Sequence, residues 1–320
     1  MGYAEELITL EGEEPLASFG VITDVQYADI PDGVSFLGVP RYYRHSINVL
    51  QRAVKKWNKE KVDFVINFGD MVDGYCPKDQ SLAAVKDIVN EFSLFNGPVY
   101  HLIGNHCLYN LPRDTLLPML NIPPSDLHAY YDFSPVPEYR FVVLDGYDIS
   151  AIGWPEDHPN AVKAVNFLWE RNPNSDKNSP NGLLGRDRRF LMFNGAVGKD
   201  QLEWLDGVLQ DATSLNQKVV ICSHLPLDPN ASSNEALLWN YNEVMDLIHR
   251  YDCVKVCLSG HDHKGGYSVD SHGVHHRILE AALECPPGTN AFGHIDLYPN
   301  GLLLSGTDRM ETQEIIYSRC

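Results

Sequence analysis

Five short blocks in this chain place metal-seeking side chains at the end of an apolar run. They are Asp24-Val-Gln26, Gly69-Asp70-Met-Val-Asp73-Gly74, Gly104-Asn105-His106, Ser223-His224 and Gly260-His261-Asp-His263. Carboxylate, amide and imidazole are the donors that divalent ions take. Singly, each block is weak. Gly-Asp-x-x-Asp-Gly also reads as an Asx turn, and Gly-Asn-His as a strand-ending turn whose Asn tolerates left-handed backbone. A lone Ser-His reads as a surface or core histidine. Gly-His-x-His is stronger, because alternate residues of an extended chain face opposite ways and both rings converge only if the backbone turns. Together the blocks point to a two-metal hydrolytic centre, and to an enzyme acting on phosphorus. His45, His101, His128, His158, His249 and His294 have no such companions in sequence and read as structural.

Such side chains need a scaffold that brings distant segments to one edge. The runs before the blocks are FGVIT, FVINF, VYHLI, KVVIC and VKVCL, short and Val- and Ile-rich as buried strands are. Leu16–Thr23, Val62–Phe68 and Pro98–Ile103 are predicted strands, separated by helices over Tyr42–Glu60 and Gln80–Phe95. The first helix has Ile47, Leu50, Val54 and Trp57 on one face. This is a βαβ series with right-handed crossovers. Tyr139–Leu144 is a further strand. From about 150 to 198 the chain turns Asn-, Pro-, Ser- and Gly-rich, with one helix over Ala161–Arg171, and is expected to be an irregular insertion shaping the pocket. Helices at Lys199–Leu209 and Glu235–Arg250 then alternate with strands at Lys218–Cys222 and Val254–Leu258. Short strands follow at Tyr267–Val269, Val274–Leu279, Ile295–Tyr298 and Leu302–Leu304. The order predicts one α/β domain over residues 1–320, built on a two-sheet core with helices outside.

The formal charge of −18 opposes a nucleic-acid partner but not a small phosphate ester, since two divalent ions would dominate the local field. The seven cysteines are irregularly spaced and read as reduced thiols. No run is long and apolar enough to span a bilayer, and the acidic start lacks a signal-peptide pattern. A cytoplasmic monomer without a membrane or nucleic-acid partner is expected.

The order of blocks resembles the calcineurin-like metallophosphoesterase superfamily, whose pattern runs D-x-H, G-D-x-x-D, G-N-H-E/D, H and G-H-x-H. More closely, the chain is similar to the manganese-dependent ADP-ribose/CDP-alcohol diphosphatase family. That likeness rests on Asp24-Val-Gln26, Tyr42-Tyr43-Arg44-His45-Ser46, Phe193-Asn194-Gly195, Ser223-His224-Leu225-Pro226, Trp239-Asn240-Tyr241 and Gly265-Gly266-Tyr267-Ser268. The resemblance implies a four-layer αββα fold with a two-sheet β-sandwich core. It implies one metal on Asp24, Gln26 and His263, another on Asn105, His224 and His261, and Asp70 bridging them. It makes His106 the catalytic histidine that binds no metal, with Asp73 placed to orient it.

Two positions depart from the superfamily pattern. Gln26 stands where His is usual, and its harder amide oxygen favours manganese or magnesium over zinc. Cys107 replaces an acid and reads as a substitution outside the metal shell. Asp73 stands where tyrosine-ligated iron phosphatases carry Tyr, which argues against that subgroup.

The expected reaction is attack on phosphorus by a hydroxide bridging two divalent ions, manganese preferred and magnesium also suitable, with His106 assisting the leaving oxygen. The expected substrates are ADP-ribose, CDP-alcohols such as CDP-choline, and related nucleoside diphosphate compounds, cleaved to two monophosphates. A stacking surface for the base is assigned to Phe36, with Tyr241 as a further contact, and the second phosphate to Arg44 or His45. The alternatives are a cyclic-nucleotide or other phosphodiesterase or phosphomonoesterase of the same superfamily, or a scaffold without turnover.

Overall fold

The computed structural model describes residues 10, 12, 14–35, 37–123 and 126–317. Strand β1 (Ala17–Ile22) is followed by a small ribbon of β2 (Gly33–Val34) and β3 (Pro40–Arg41), then helix α1 (Ser46–Glu60). Next come β4 (Phe64–Asn67), α2 (Ser81–Phe92), β5 (Val99–His101), α3 (Asn105–Asn110) and α4 (Arg113–Met119). The hairpin β6 (Tyr131–Val136) and β7 (Tyr139–Leu144) leads to α5 (Pro159–Arg171), α6 (Lys199–Ser214), β8 (Lys218–Ser223), α7 (Tyr241–Ile248) and β9 (Val254–Ser259). The chain closes through β10 (Gly266–Val269), β11 (His275–Ile278), β12 (Gly293–Tyr298), β13 (Gly301–Gly306) and β14 (Gln313–Ile316).

These strands make two six-stranded sheets, ordered β14-β13-β12-β1-β4-β5 and β10-β11-β9-β8-β7-β6. β1, β4 and β5 are parallel, as are β7, β8, β9 and β11. Alternation along each strand divides its side chains between two layers. Phe19, Val21, Phe64, Ile66, Phe141, Val143, Val220, Cys222, Val256 and Leu258 fill the space between the sheets. The opposite faces of the same strands, through Val65, Val142, Val219 and Ile221, join a second core with Leu50, Val54 and Trp57 of α1, Ile88 of α2 and Leu205 and Leu209 of α6. The fold is the expected αββα sandwich.

Differences from expectation have local causes. The helix expected over Glu235–Arg250 is broken: a 3-10 turn at Asn234–Ala236 precedes α7. Trp239 donates its backbone N–H to Gly195 O at 2.8 Å and Asn240 Oδ1 accepts from Val197 N at 3.0 Å, holding that stretch against the preceding loop. β6 escapes the sequence pattern because it carries Pro135 and a register shift between Phe133 and Val136, both tolerated at a sheet edge. The 150–198 stretch folds back on itself: Asn172 Nδ2 donates to Phe190 O at 2.9 Å, and Asn174 Nδ2 to Asn181 O at 2.8 Å.

Candidate metal centre

All five blocks leave the carboxyl ends of parallel strands, three in one sheet (β1, β4, β5) and two in the other (β8, β9). Adjacent parallel strands discharge their loops in the same direction, so the blocks meet at one rim of the sandwich. The backbone there is unusual. Asp24 (φ 50°), Gln26 (43°), Asp70 (52°) and His261 (67°) are all left-handed. Asp and His are among the side chains that tolerate that conformation, Gln is not, and such residues cost roughly 1–3 kcal/mol each. Tight hydrogen bonds hold them: Asp24 N to Gly69 O (3.1 Å), Gln26 N to Asp70 O (2.8 Å) and His261 N to Asp24 Oδ2 (3.0 Å). The turn that His261 and His263 need in order to converge is this left-handed residue.

Two groups of side chains result. In the first, Gln26 Nε2 lies 3.2 Å from Asp24 Oδ1 and 2.9 Å from His263 Nε2, and His263 Nε2 is 3.4 Å from Asp24 Oδ1. In the second, His224 Nε2 is 3.2 Å from Asp70 Oδ2, and ligand atoms of Asp70, His224 and His261 lie within 4.8 Å of one another. Asn105 is buried beside the second group at the start of α3, where Tyr147 donates its hydroxyl to Asn105 Oδ1 at 3.2 Å. His106 N donates to Asp70 Oδ1 at 2.8 Å. The glycines in these blocks are close-approach residues. A Cβ on Gly104 would stand 2.1 Å from Asp70 Oδ1, and one on Gly260 would stand 2.0 Å from Thr23 Oγ1.

Each of the three imidazoles has its outward nitrogen engaged elsewhere. His224 Nδ1 donates to Phe68 O at 2.6 Å, His263 Nδ1 meets Glu284 Oε1 at 2.9 Å, and His261 Nε2 meets Asn194 Oδ1 at 2.9 Å. That pattern fixes the tautomer and turns the other nitrogen inward, as ligating histidines require. Three polar atoms of these two groups lack a hydrogen-bond partner. Gln26 Oε1, Asp70 Oδ2 and His224 Nε2 are buried without a hydrogen bond. Buried polar atoms in that state are costly unless a cation completes them. The donor set of carboxylates, amides and imidazoles fits two divalent ions.

The electrostatics agree. Burial pushes the Asp24 and Asp70 carboxyls up, but His263 beside Asp24 and His224 beside Asp70 hold both below the usual carboxylate range. Burial opposes charge on His263 and His224 too, yet the carboxylates raise them to about 10 and about 9. His261, buried and next to His224, is pushed down to about 3. Protons here occupy positions that cations would take.

His106 stands apart from the other three rings. Its Nδ1 accepts the Gly74 N–H at 2.7 Å, and Asp73 Oδ2 lies 3.4 Å from the same atom. Asp73 Oδ1 accepts Tyr75 N at 2.8 Å, while Arg41 approaches Asp73 Oδ2 at 3.9 Å. Cys107 is buried, and burial pushes its thiol up to about 12, so it is inert at this rim.

The substrate-contact candidates are scattered. Phe36 lies outside the described residues. Arg44 is exposed and paired with Asp29 at 2.5 Å. His45 sits at the start of α1 with Nδ1 3.3 Å from Asn48 Nδ2 and Nε2 buried without a partner. Tyr241 is mostly buried at the start of α7, its hydroxyl accepting from Arg186 at 3.1 Å. Sequence reasoning missed Glu284, Arg309 and Tyr147. Glu284 was signalled only by an acid closing the apolar run Ala281-Ala282-Leu283, and Arg309 pairs with it at 3.1 Å. Asn194 belongs to the Phe193-Asn194-Gly195 motif, to which the sequence attaches no role of its own.

Comparison with known proteins yields consistent matches. The family model described as calcineurin-like phosphoesterase matches residues 17–265. The chain is 65% identical over 318 residues to the manganese-dependent ADP-ribose/CDP-alcohol diphosphatase of Oryza sativa subsp. japonica, covering 99% of both chains. It is 68% identical over 302 residues to the protein of the same name from Arabidopsis thaliana, covering 94% of this chain and 97% of the other. The crystal structure of a dimetal phosphatase from Danio rerio superposes with a TM-score of 0.92 at 38% identity, covering 95% of this chain and 100% of that one.

Proposed function

Because this chain belongs to the calcineurin-like phosphoesterase family, we propose that it is a manganese-dependent hydrolase cleaving the diphosphate bond of ADP-ribose, CDP-alcohols and related compounds to two monophosphates. The observation that carries the chemistry is the set of three imidazoles, each anchored outward and aimed inward at Asp24 and Asp70. Asp24, Gln26, Asp70 and His263 would hold one cation, and Asp70, Asn105, His224 and His261 the other. When bound, the ions supply positive charge to the phosphoryl oxygens and activate water.

The chain's own groups do the rest. Gly74 N–H makes Nδ1 of His106 an acceptor, so the proton of the neutral ring sits on Nε2, available to the leaving oxygen. If Nδ1 takes a proton instead, Asp73 Oδ2 is the partner within reach. His106 and Asp73 are therefore the acid pair. A diphosphate leaves as a phosphate monoester, which needs little help, and a general acid contributes about 10²–10⁴-fold at most.

An open groove of about 540 Å³ adjoins the centre through Glu284, between the β2–β3 ribbon (Val39, Pro40, with Tyr42 beyond) and Pro286, Thr289, Asp308 and Arg309. It offers apolar surface for a nucleoside and a guanidinium for the second phosphate. Arg44 and His45 follow that ribbon, and Tyr42 N donates to Leu283 O at 3.0 Å. Tyr241 is the weaker contact, being committed to Arg186.

No helix of the described residues is long and apolar enough to cross a membrane. The six described cysteines are free thiols, which supports a reducing compartment, the cytoplasm. The enzyme acts as a single domain and as a monomer on small nucleotides. A scaffold role is disfavoured because every block retains a competent donor. The test is turnover of ADP-ribose, CDP-choline and cyclic nucleotides by the purified protein with manganese, magnesium or zinc. Preference for cyclic diesters would reject the substrate assignment.

A further inference from the structure

A second gathering of metal-seeking groups lies away from this centre. Asp270 opens the turn between β10 and β11, and its Oδ1 accepts the N–H groups of His272 and Val274 at 2.8 and 3.0 Å. Its other oxygen faces two rings: His249 Nε2 at 2.8 Å and His276 Nε2 at 3.1 Å. His272 lies flat against His249, with centroids 3.8 Å apart and planes 17° apart. Ligand atoms of His249, Asp270 and His272 lie within 4.8 Å of one another. His276 is only 3% exposed and its Nδ1 has no hydrogen-bond partner.

The register separates this cluster from the dinuclear centre. His275 pairs with Val256 near the amino end of β9, whereas His261 and His263 follow its carboxyl end at Ser259. The two clusters therefore sit toward opposite ends of one strand.

The geometry points to a mononuclear transition-metal site, best suited to zinc, formed by His249, Asp270 and His272 with His276 as fourth donor. Three imidazoles and one carboxylate form a donor set that zinc accepts in tetrahedral geometry, while manganese asks for more oxygens. The exposed His272 ring would turn out of its stack on His249 to direct a nitrogen at the shared cation. A cation at this point replaces protons shared between Asp270 Oδ2 and two rings with direct bonds. It would tie His249, just past the end of α7, to the edge hairpin β10–β11, a clip on a sheet margin that has no further strand among the described residues.

The test titrates zinc into manganese-saturated protein against a chromophoric chelator and locates it in crystals by anomalous scattering at the zinc edge. One further zinc per chain is expected, with its peak among His249, Asp270 and His272. His272→Ala, which removes an exposed ring, should weaken that binding at least about tenfold. His249→Ala should abolish the peak, and both variants should keep their manganese-dependent hydrolase rate. Zinc found only around Asp70 and His224, or equal affinity in wild type and His272→Ala, would overturn the assignment.

Discussion

Asn194 Oδ1 accepts from His261 Nε2 at 2.9 Å, so a residue of the irregular middle segment sets the orientation of a ring on the far side of the chain. The amide is itself clamped, its nitrogen donating to Arg189 O at 2.9 Å and Glu235 O at 2.6 Å. Losing it frees the His261 ring to turn. Asn194→Ala should weaken manganese binding about 10–100-fold, with Asn194→Asp restoring much of it. Manganese titration by electron paramagnetic resonance reads this directly; equal affinities for all three proteins would remove Asn194 from the positioning role.

Asp70 and His106 separate holding metal from moving protons. Asp70→Ala should lose both metal and activity, since its carboxylate meets His224 and the His106 backbone. His106→Ala should retain two manganese ions per chain while turnover of a diphosphate falls by about 10²-fold, the low end for a general acid. Metal content by plasma mass spectrometry beside steady-state rates distinguishes them. Loss of metal from His106→Ala would make that ring a ligand.

Gln26 tests metal choice. With Oε1 buried and partnerless, its amide offers a hard oxygen where an imidazole would offer borderline nitrogen. Gln26→His should shift preference from manganese toward zinc with the thermal midpoint of the metal-free protein little changed. An unaltered ranking of metals in the activity assay would count against the argument.

His101 governs an acid sensitivity unrelated to catalysis. Its ring is buried against Phe92 (centroids 5.0 Å apart), near Asn67 Nδ2 at 3.2 Å, and burial pushes it from 6.5 down to about 4. The unfolded chain therefore takes up a proton near pH 6.5 that the folded chain refuses until about pH 4. Stability should fall as pH drops through that interval, by roughly 3 kcal/mol in all, and level off below it. Urea unfolding of wild type and His101→Gln at several pH values checks this. The variant should show the shallower decline.

Much of this was readable in advance because buried parallel strands are written as continuous apolar runs. Tyr139–Leu144 was predicted to the residue, and each metal-seeking block was found at a strand end because Gly and polar residues interrupt those runs. What escaped was set by tertiary context. α3 is a six-residue helix whose first turn carries Asn105 and His106, too short to show a period. The partners of the ligating rings escaped for a related reason: Glu284 and Asn194 are 21 and 67 residues from the histidines they hold, with no local pattern joining them. His249, read as solitary, has its carboxylate 21 residues on, across a helix-to-hairpin contact that spacing alone does not reveal.

The proposed ligands come from both sheets, Asp24, Gln26, Asp70 and Asn105 from one and His224, His261 and His263 from the other. Divalent ions held at that rim would therefore act as rivets across the open end of the sandwich, making cellular manganese supply a thermodynamic variable of folding as well as of turnover. At a free ion concentration a hundred times the dissociation constant, each rivet adds about 2.7 kcal/mol to the folded state. Scarcity of the ion would thus shorten the protein's lifetime as well as slow its reaction.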